Sequence, residues 1–324
     1  MRRPLRLEKK ETSVLVGIMI LVIIIMIFAN PGTFLTYTNL KGMAYQLPEL
    51  GILTLAMMVV MITGGINLSI IATANMAGIV AAMILKGLPG SPLAAFLLAI
   101  LSAIAVSSAI GLLNGVLVAY IEMPAILATL GTMTLFNGIS IVITKGYVIS
   151  GFSPAVLYIG NGMLLGIPFP LLIFLLAAIV MSIFLRKTRT GFSLFMIGSN
   201  AMATKFSGIN NTAVLIRTYL VSGIYSGVAA LVMISRFNSA KSGYGDSYLL
   251  VTILAAVLGG VKSEGGFGTV SGVVIALITL QVLSSGFNLL RVSSFLTTAI
   301  WGFIMIAVMV INFLIENRKT RGTV

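Results

Sequence analysis

Apolar residues run along this chain in long unbroken blocks, separated by short polar or glycine-rich interruptions. Blocks such as Val14–Phe28 and Leu171–Leu185 lack the apolar/polar alternation of a barrel strand and are too long for an ordinary strand, so they predict helices. Segments able to span a bilayer are 14–30, 43–63, 68–85, 92–120, 124–143, 168–185, 213–235, 248–261, 268–289 and 293–315, since about 20 apolar residues cross the hydrocarbon core. The segment 248–261 is short and predicts a broken or partly inserted helix. Peptide groups facing lipid must be satisfied within their own element, which a helix does. The pattern therefore predicts an all-α integral membrane fold of about ten transmembrane helices with glycine-broken segments.

Composition agrees. Hydrophobic residues make up 59% of the chain and charged residues 8%, against about 25% charged in a soluble domain. The net charge is +13, and membrane topology accounts for it. Ten spans with both termini cytoplasmic put 14 Lys/Arg inside and 6 outside, as the positive-inside rule expects. No contiguous basic, aromatic-studded stretch supports nucleic-acid binding. The first apolar run lacks a small-residue cleavage site and reads as a retained helix. The expected organisation is a cytoplasmic tail at 1–12, one transmembrane domain at 13–316, and a cytoplasmic tail at 317–324.

The chain has no Cys and no His, which removes thiol nucleophiles, His-based acid–base work and Cys/His metal sites. Its acids, Glu8, Glu11, Glu49, Glu122, Asp246, Glu264 and Glu316, form no evident intramembrane pair of the kind that ion-coupled carriers use. Glu122, just before Pro124, is the weak candidate for such coupling. No Gly-x-x-x-x-Gly-Lys-Ser/Thr motif occurs, so ATP binding through a Walker loop is excluded. The chain reads as a transporter component and not an enzyme, with no cofactor.

Two connections exceed a turn. Residues 144–167 are expected outside and carry Tyr147, Phe152 and Tyr158; residues 186–212 are expected inside. Connections of that length in a compact bundle usually contact a partner. Two glycine-rich breaks stand out, Thr63–Ser69 and Leu258–Gly268. A helix broken at membrane depth can expose peptide groups to a transport path, whereas the plain alternative is a tight surface turn. Asn67, Ser69, Asn75 and Asn114 are polar groups inside apolar segments, and either line a wet path or bond between helices. Small-residue spacings at Gly111/Gly115, Gly223/Gly227 and Gly268/Gly272 predict close helix packing.

Four stretches carry a family resemblance: Gly64-Gly65-Ile66-Asn67-Leu68-Ser69; Asn114-Gly115 through Pro124 and Thr129-Leu130-Gly131-Thr132-Met133 to Phe136-Asn137-Gly138; Gly198-Ser199-Asn200-Ala201-Met202-Ala203-Thr204-Lys205-Phe206-Ser207-Gly208-Ile209; and Ala256-Val257-Leu258-Gly259-Gly260 with Gly265–Gly268 and Gly272. In this order they resemble the ribose-type permeases of bacterial ATP-binding-cassette importers. The resemblance implies a permease subunit in a bacterial cytoplasmic (inner) membrane. Its partners would be a second permease copy or paralogue, a cytoplasmic ATP-binding-cassette ATPase and an extracytoplasmic solute-binding protein. The cargo would be a monosaccharide or related furanosyl compound.

Gly198, Asn200, Ala203, Thr204, Ser207 and Gly208 would then couple to the ATPase. Gly64, Gly65, Asn67, Ser69, Asn75, Asn114, Asn137, Gly259 and Gly260 would line or shape the translocation pathway. The chain departs from the family pattern at Asn67 (usually Asp), Asn137 (usually Arg), Thr204 (usually Ala) and Phe192 (usually Arg). Stranding one member of a buried ion pair costs about 3–5 kcal/mol, so joint loss of the acid and the base predicts that Asn67 and Asn137 approach each other as a pair of amides. The alternative function is a stand-alone secondary carrier or facilitator, which would accumulate solute on an ion gradient without a partner.

Overall fold

The computed structural model describes residues 4–88 and 90–321, with side-chain surroundings for 12–310 except 89. Helices form from nearly every apolar block. α1 is Pro4–Ala29, α2 Tyr37–Met61, α3 Ile70–Gly87, α4 Pro92–Ala119 and α5 Ala125–Thr144. α6 is Pro154–Asn161, α7 Phe169–Lys187, α8 Arg189–Ser199, α9 Ala201–Phe206 and α10 Asn211–Phe237. α11 (Tyr248–Leu258), α12 (Val270–Leu289) and α13 (Ser294–Arg321) complete the chain. Among the described residues eight helices are long and apolar enough to cross a membrane, and α11 and the apolar part of α13 (Ser294–Val310) are shorter apolar helices. The eleven residues of α11 rise about 16 Å, roughly half a bilayer core, as the short 248–261 block predicts.

α2 is the axis of the bundle. Every residue from Leu47 to Met61 is buried, on all sides of the helix, which requires helices all around it; α3, α7, α10, α11 and α12 supply them. Gly51 lies against the ring of the buried Phe174. α4 and α10 cross backbone to backbone: Cβ atoms at Gly111 and Gly223 would overlap Tyr219 and Ser107 carbonyl oxygens respectively, and Gly111 also faces Gly223. Two of the three small-residue spacings thus meet in one crossing. The outer surface carries Leu93, Leu101, Leu176, Phe295 and Phe303 exposed, and Asn, Ser and Thr lie inside, the distribution expected of a protein solvated by lipid.

Two connections are more structured than loops. Within 144–167 lie α6, strand β1 (Ile149–Ser150), and a hairpin of β2 (Met163–Leu164) and β3 (Ile167–Pro168); β1 pairs antiparallel with β4 (Ser239–Ala240). The hairpin turns through Leu165 and Gly166, both at positive φ, the two-residue geometry suited to strand twist. Ser235 fixes α6 by accepting from Gly160 N (2.5 Å) and donating to Val156 O (2.6 Å). Lys86 donates to Gly151 O (2.7 Å). The expected loop 186–212 is likewise two helices, α8 and α9, because Thr188 and Asn200 each accept a backbone N–H and so start a helix. Arg2, Arg3, Arg6, Lys9, Lys10, Arg318, Lys319 and Arg321, the expected cytoplasmic clusters, lie outside the residues whose side chains are described.

Candidate functional site

The first break is held open by side chains. Thr129 on α5 accepts from Leu68 N (3.1 Å) and donates towards Ala125 O (2.7 Å) and Ile66 O (3.1 Å), replacing the helical bonds that Gly64 and Gly65 interrupt. A directed chain of hydrogen bonds then crosses the bundle. Thr132 donates to Asn114 Oδ1 (2.7 Å), Asn114 to Ser69 Oγ (2.8 Å), Ser69 to Asn67 Oδ1 (2.8 Å), Asn67 to Ser222 Oγ (3.0 Å), and Ser222 to Ala56 O (2.8 Å). All five side chains are buried. The chain ties α5, α4, the break, α10 and α2 together, and each member is satisfied, which low dielectric makes both strong and demanding.

Asn67, Ser69 and Asn114 are thus brought together. Asn75 on α3 is also buried, but its Nδ2 has no hydrogen-bond partner. The expected pairing of Asn67 with Asn137 does not occur. Both polar atoms of the Asn67 amide are engaged by Ser222 and Ser69, and the Oδ1 of Asn137 has no partner. The helical rise explains the separation: Asn137 lies eight residues beyond Thr129, about 12 Å further along α5.

The second break, 259–269, folds back onto the first. Gly259 packs against Val273 of α12, and Gly260 turns at φ 84° with open space beside it. Gly266 N donates to Ile62 O (2.8 Å), and a Cβ at Gly64, also at positive φ, would sit 3.0 Å from Glu264 O. Gly198, at the end of α8, lies over both: a Cβ there would overlap Ile62 O and Gly266 N and stand 3.0 Å from the Gly265 carbonyl carbon. Three backbone segments meet where none can carry a side chain. From this junction α9 projects outward. Asn200 caps it by accepting from Ala203 N (2.9 Å), and Thr204 is buried. Ala203 and Ser207 are exposed, Gly208 turns at φ 79° in open space, and Met202 and Phe206 are 64% and 86% exposed.

Sequence reasoning missed one cluster. Glu49, buried within α2, accepts from Arg236 (2.5 Å) and Tyr248 (2.5 Å), joining α2 to the end of α10 and the start of α11. A carboxylate inside a predicted span was the available signal; a search for paired acids passes over a distant arginine. Ser222 and Thr132 gave no such signal, since hydroxyls are frequent in apolar helices.

A family model for the permease component of branched-chain amino acid transport systems matches residues 39–311. The ribose import permease protein RbsC of Bacillus subtilis (strain 168) is 35% identical over 94% of this chain and 92% of its own. The autoinducer 2 import system permease protein LsrD is 32% identical in Photorhabdus laumondii and 33% in Escherichia coli (strain K12), each over 81% of this chain and 79% of its own. No solved structure matches the chain.

Proposed function

Since the chain belongs to the family of permease components of branched-chain amino acid transport systems, we propose that it is the membrane-embedded permease of an ATP-binding-cassette importer carrying a monosaccharide or related furanosyl compound. The relatives' names, ribose and autoinducer 2 import permeases, support that cargo class. As a transport component it is not an enzyme; hydrolysis belongs to a separate ATPase. The bacterial cytoplasmic membrane is its proposed location, with both termini and the α8–α9 segment inside.

The observation that carries the mechanism is the backbone junction of Gly198 with Ile62 and Gly265–Gly266. The ATPase binds the exposed tip of α9, with Phe206 and Met202 as its apolar contacts and Asn200, Ala203, Thr204, Ser207 and Gly208 setting the shape of that tip. Movement of α8–α9 then reaches both broken helices without an intervening side chain. Such coupling needs an ATPase that binds two permease states with different affinity. The solute-binding protein docks on the opposite face, on 144–167 and 236–247. A second permease copy fits along α5, where Leu127, Gly131, Thr134 and Gly138 border an open groove of about 800 Å³ and neither glycine has a neighbour within 4 Å of an added Cβ; small residues there permit close helix approach.

Of the pathway candidates, Asn137 touches solute. Gly64, Gly65, Asn67, Ser69, Asn75, Asn114, Gly259 and Gly260 shape the moving wall. Reconstitution in proteoliposomes tests the reading. Chain, ATPase and binding protein together should give ATP-dependent sugar uptake, and the chain alone none. Accumulation by the chain alone on an ion gradient would contradict it.

A further inference from the structure

Near the far end of α5, Asn137 and Thr144 share a cleft of about 370 Å³ with Lys241, Ser242 and Asp246 from the turn between β4 and α11. The volume falls in the range of small-molecule sites. Its two charged groups are not paired with each other. Lys241 rests over the Tyr244 ring (5.6 Å), and among the described residues it is not within ion-pairing distance of Asp246. The Oδ1 of Asn137, in the cleft wall, is buried without a hydrogen-bond partner. The Thr144 hydroxyl donates to Ser140 O (2.8 Å), which leaves its lone pairs to accept.

The set combines one cation, one anion, an amide and two hydroxyls, so its net charge is zero. A solute with a net charge would meet its own sign at Lys241 or Asp246, and an apolar solute would leave these groups desolvated and unpaired. A solute bearing several hydroxyls can donate to Asp246 and accept from Lys241 at once. Position agrees with entry. α5 starts at Ala125, beside Gly65 at the junction, and its 20 residues carry Thr144 about 30 Å away, one hydrocarbon thickness from the coupling segment.

We propose that this cleft is a receiving site for a polyhydroxylated solute on the permease itself, with Lys241 and Asp246 as its hydrogen-bonding groups and Asn137 in its wall. The proposal rests on the import-permease reading and adds a solute site distinct from the binding protein's own.

The absence of cysteine makes a clean test available. Ser242→Cys, and Leu165→Cys at the 95% exposed hairpin tip, are each reconstituted with the ATPase but without the binding protein, and labelled with a membrane-impermeant maleimide. D-ribose, D-xylose, D-glucose and D-galactose are the probes. A sugar that the complete complex imports should slow labelling at 242 about threefold when present at twice its dissociation constant, and leave 165 unchanged. Adding Asp246→Asn should raise the protecting concentration about tenfold. Import of a sugar that gives no protection at 242 overturns the cleft and leaves the import reading standing. Loss of binding-protein capture by Asp246→Asn with protection unchanged also overturns it, by making the cleft a protein contact. Failure of the wild-type complex to import any sugar instead defeats the import reading from which the proposal starts.

Discussion

Asn67 donates to Ser222, and the Ser222 hydroxyl donates in turn to Ala56 O; an amide suits this place because a carboxylate could not donate. Asn67→Asp should put an unpaired charge where the residue is 3% exposed, with a loss of about 3 kcal/mol measured by thermal unfolding in detergent. Adding Asn137→Arg should not restore it, because Asn137 lies about 12 Å along α5 from Thr129, the α5 residue that bonds the break beside Asn67. Restoration would reinstate the paired-amide expectation. At Glu49, Arg236→Met should cost about 3 kcal/mol, the lower end because the Arg236 side chain is 19% exposed. Glu49→Leu with Arg236→Met should recover most of that loss, a coupling that a double-mutant cycle reads directly. Single polar residues in apolar runs were legible in the sequence as groups needing partners. Which partner each finds was not, because Asn67–Ser222 and Glu49–Arg236 join positions 155 and 187 residues apart, and no local spacing encodes such a contact.

Among the elements, Gly198 has the most specific task. Gly198→Ala adds a single methyl, yet that carbon would overlap Ile62 O and Gly266 N; both neighbours are backbone, so neither rotates aside. The variant should insert normally and lose ATP-driven uptake, checked by membrane fractionation beside transport. Phe206→Ala, at an exposed tip that packs on nothing in this chain, should leave stability within about 0.5 kcal/mol and weaken ATPase capture on the order of thirtyfold, as removal of an aromatic anchor does. Long unbroken apolar blocks made α2 through α5, α7, α10 and α12 readable, and a short one marked α11. The helical content of 144–167 and 186–212 was hidden, since α6, α8 and α9 have 8, 11 and 6 residues, too few to show a period against polar surroundings.

For the whole molecule, the two glycine breaks and the segment that begins at Gly198, each visible in sequence, meet at one backbone junction. Their meeting is a property of the folded chain: Gly64, Gly198 and Gly265 are distant in sequence and are joined only because α2, α8 and the α11–α12 turn end at the same level of the bundle. The central claim is that this level faces the cytoplasm and receives force from another chain. Phe206→Cys in the cysteine-free chain, with a short bifunctional thiol cross-linker applied to the assembled complex, tests it most directly. The expected result is a cross-link to the ATPase subunit and no labelling from outside intact cells by an impermeant maleimide. Labelling of residue 206 from outside, with no cross-link to an ATPase, would contradict it.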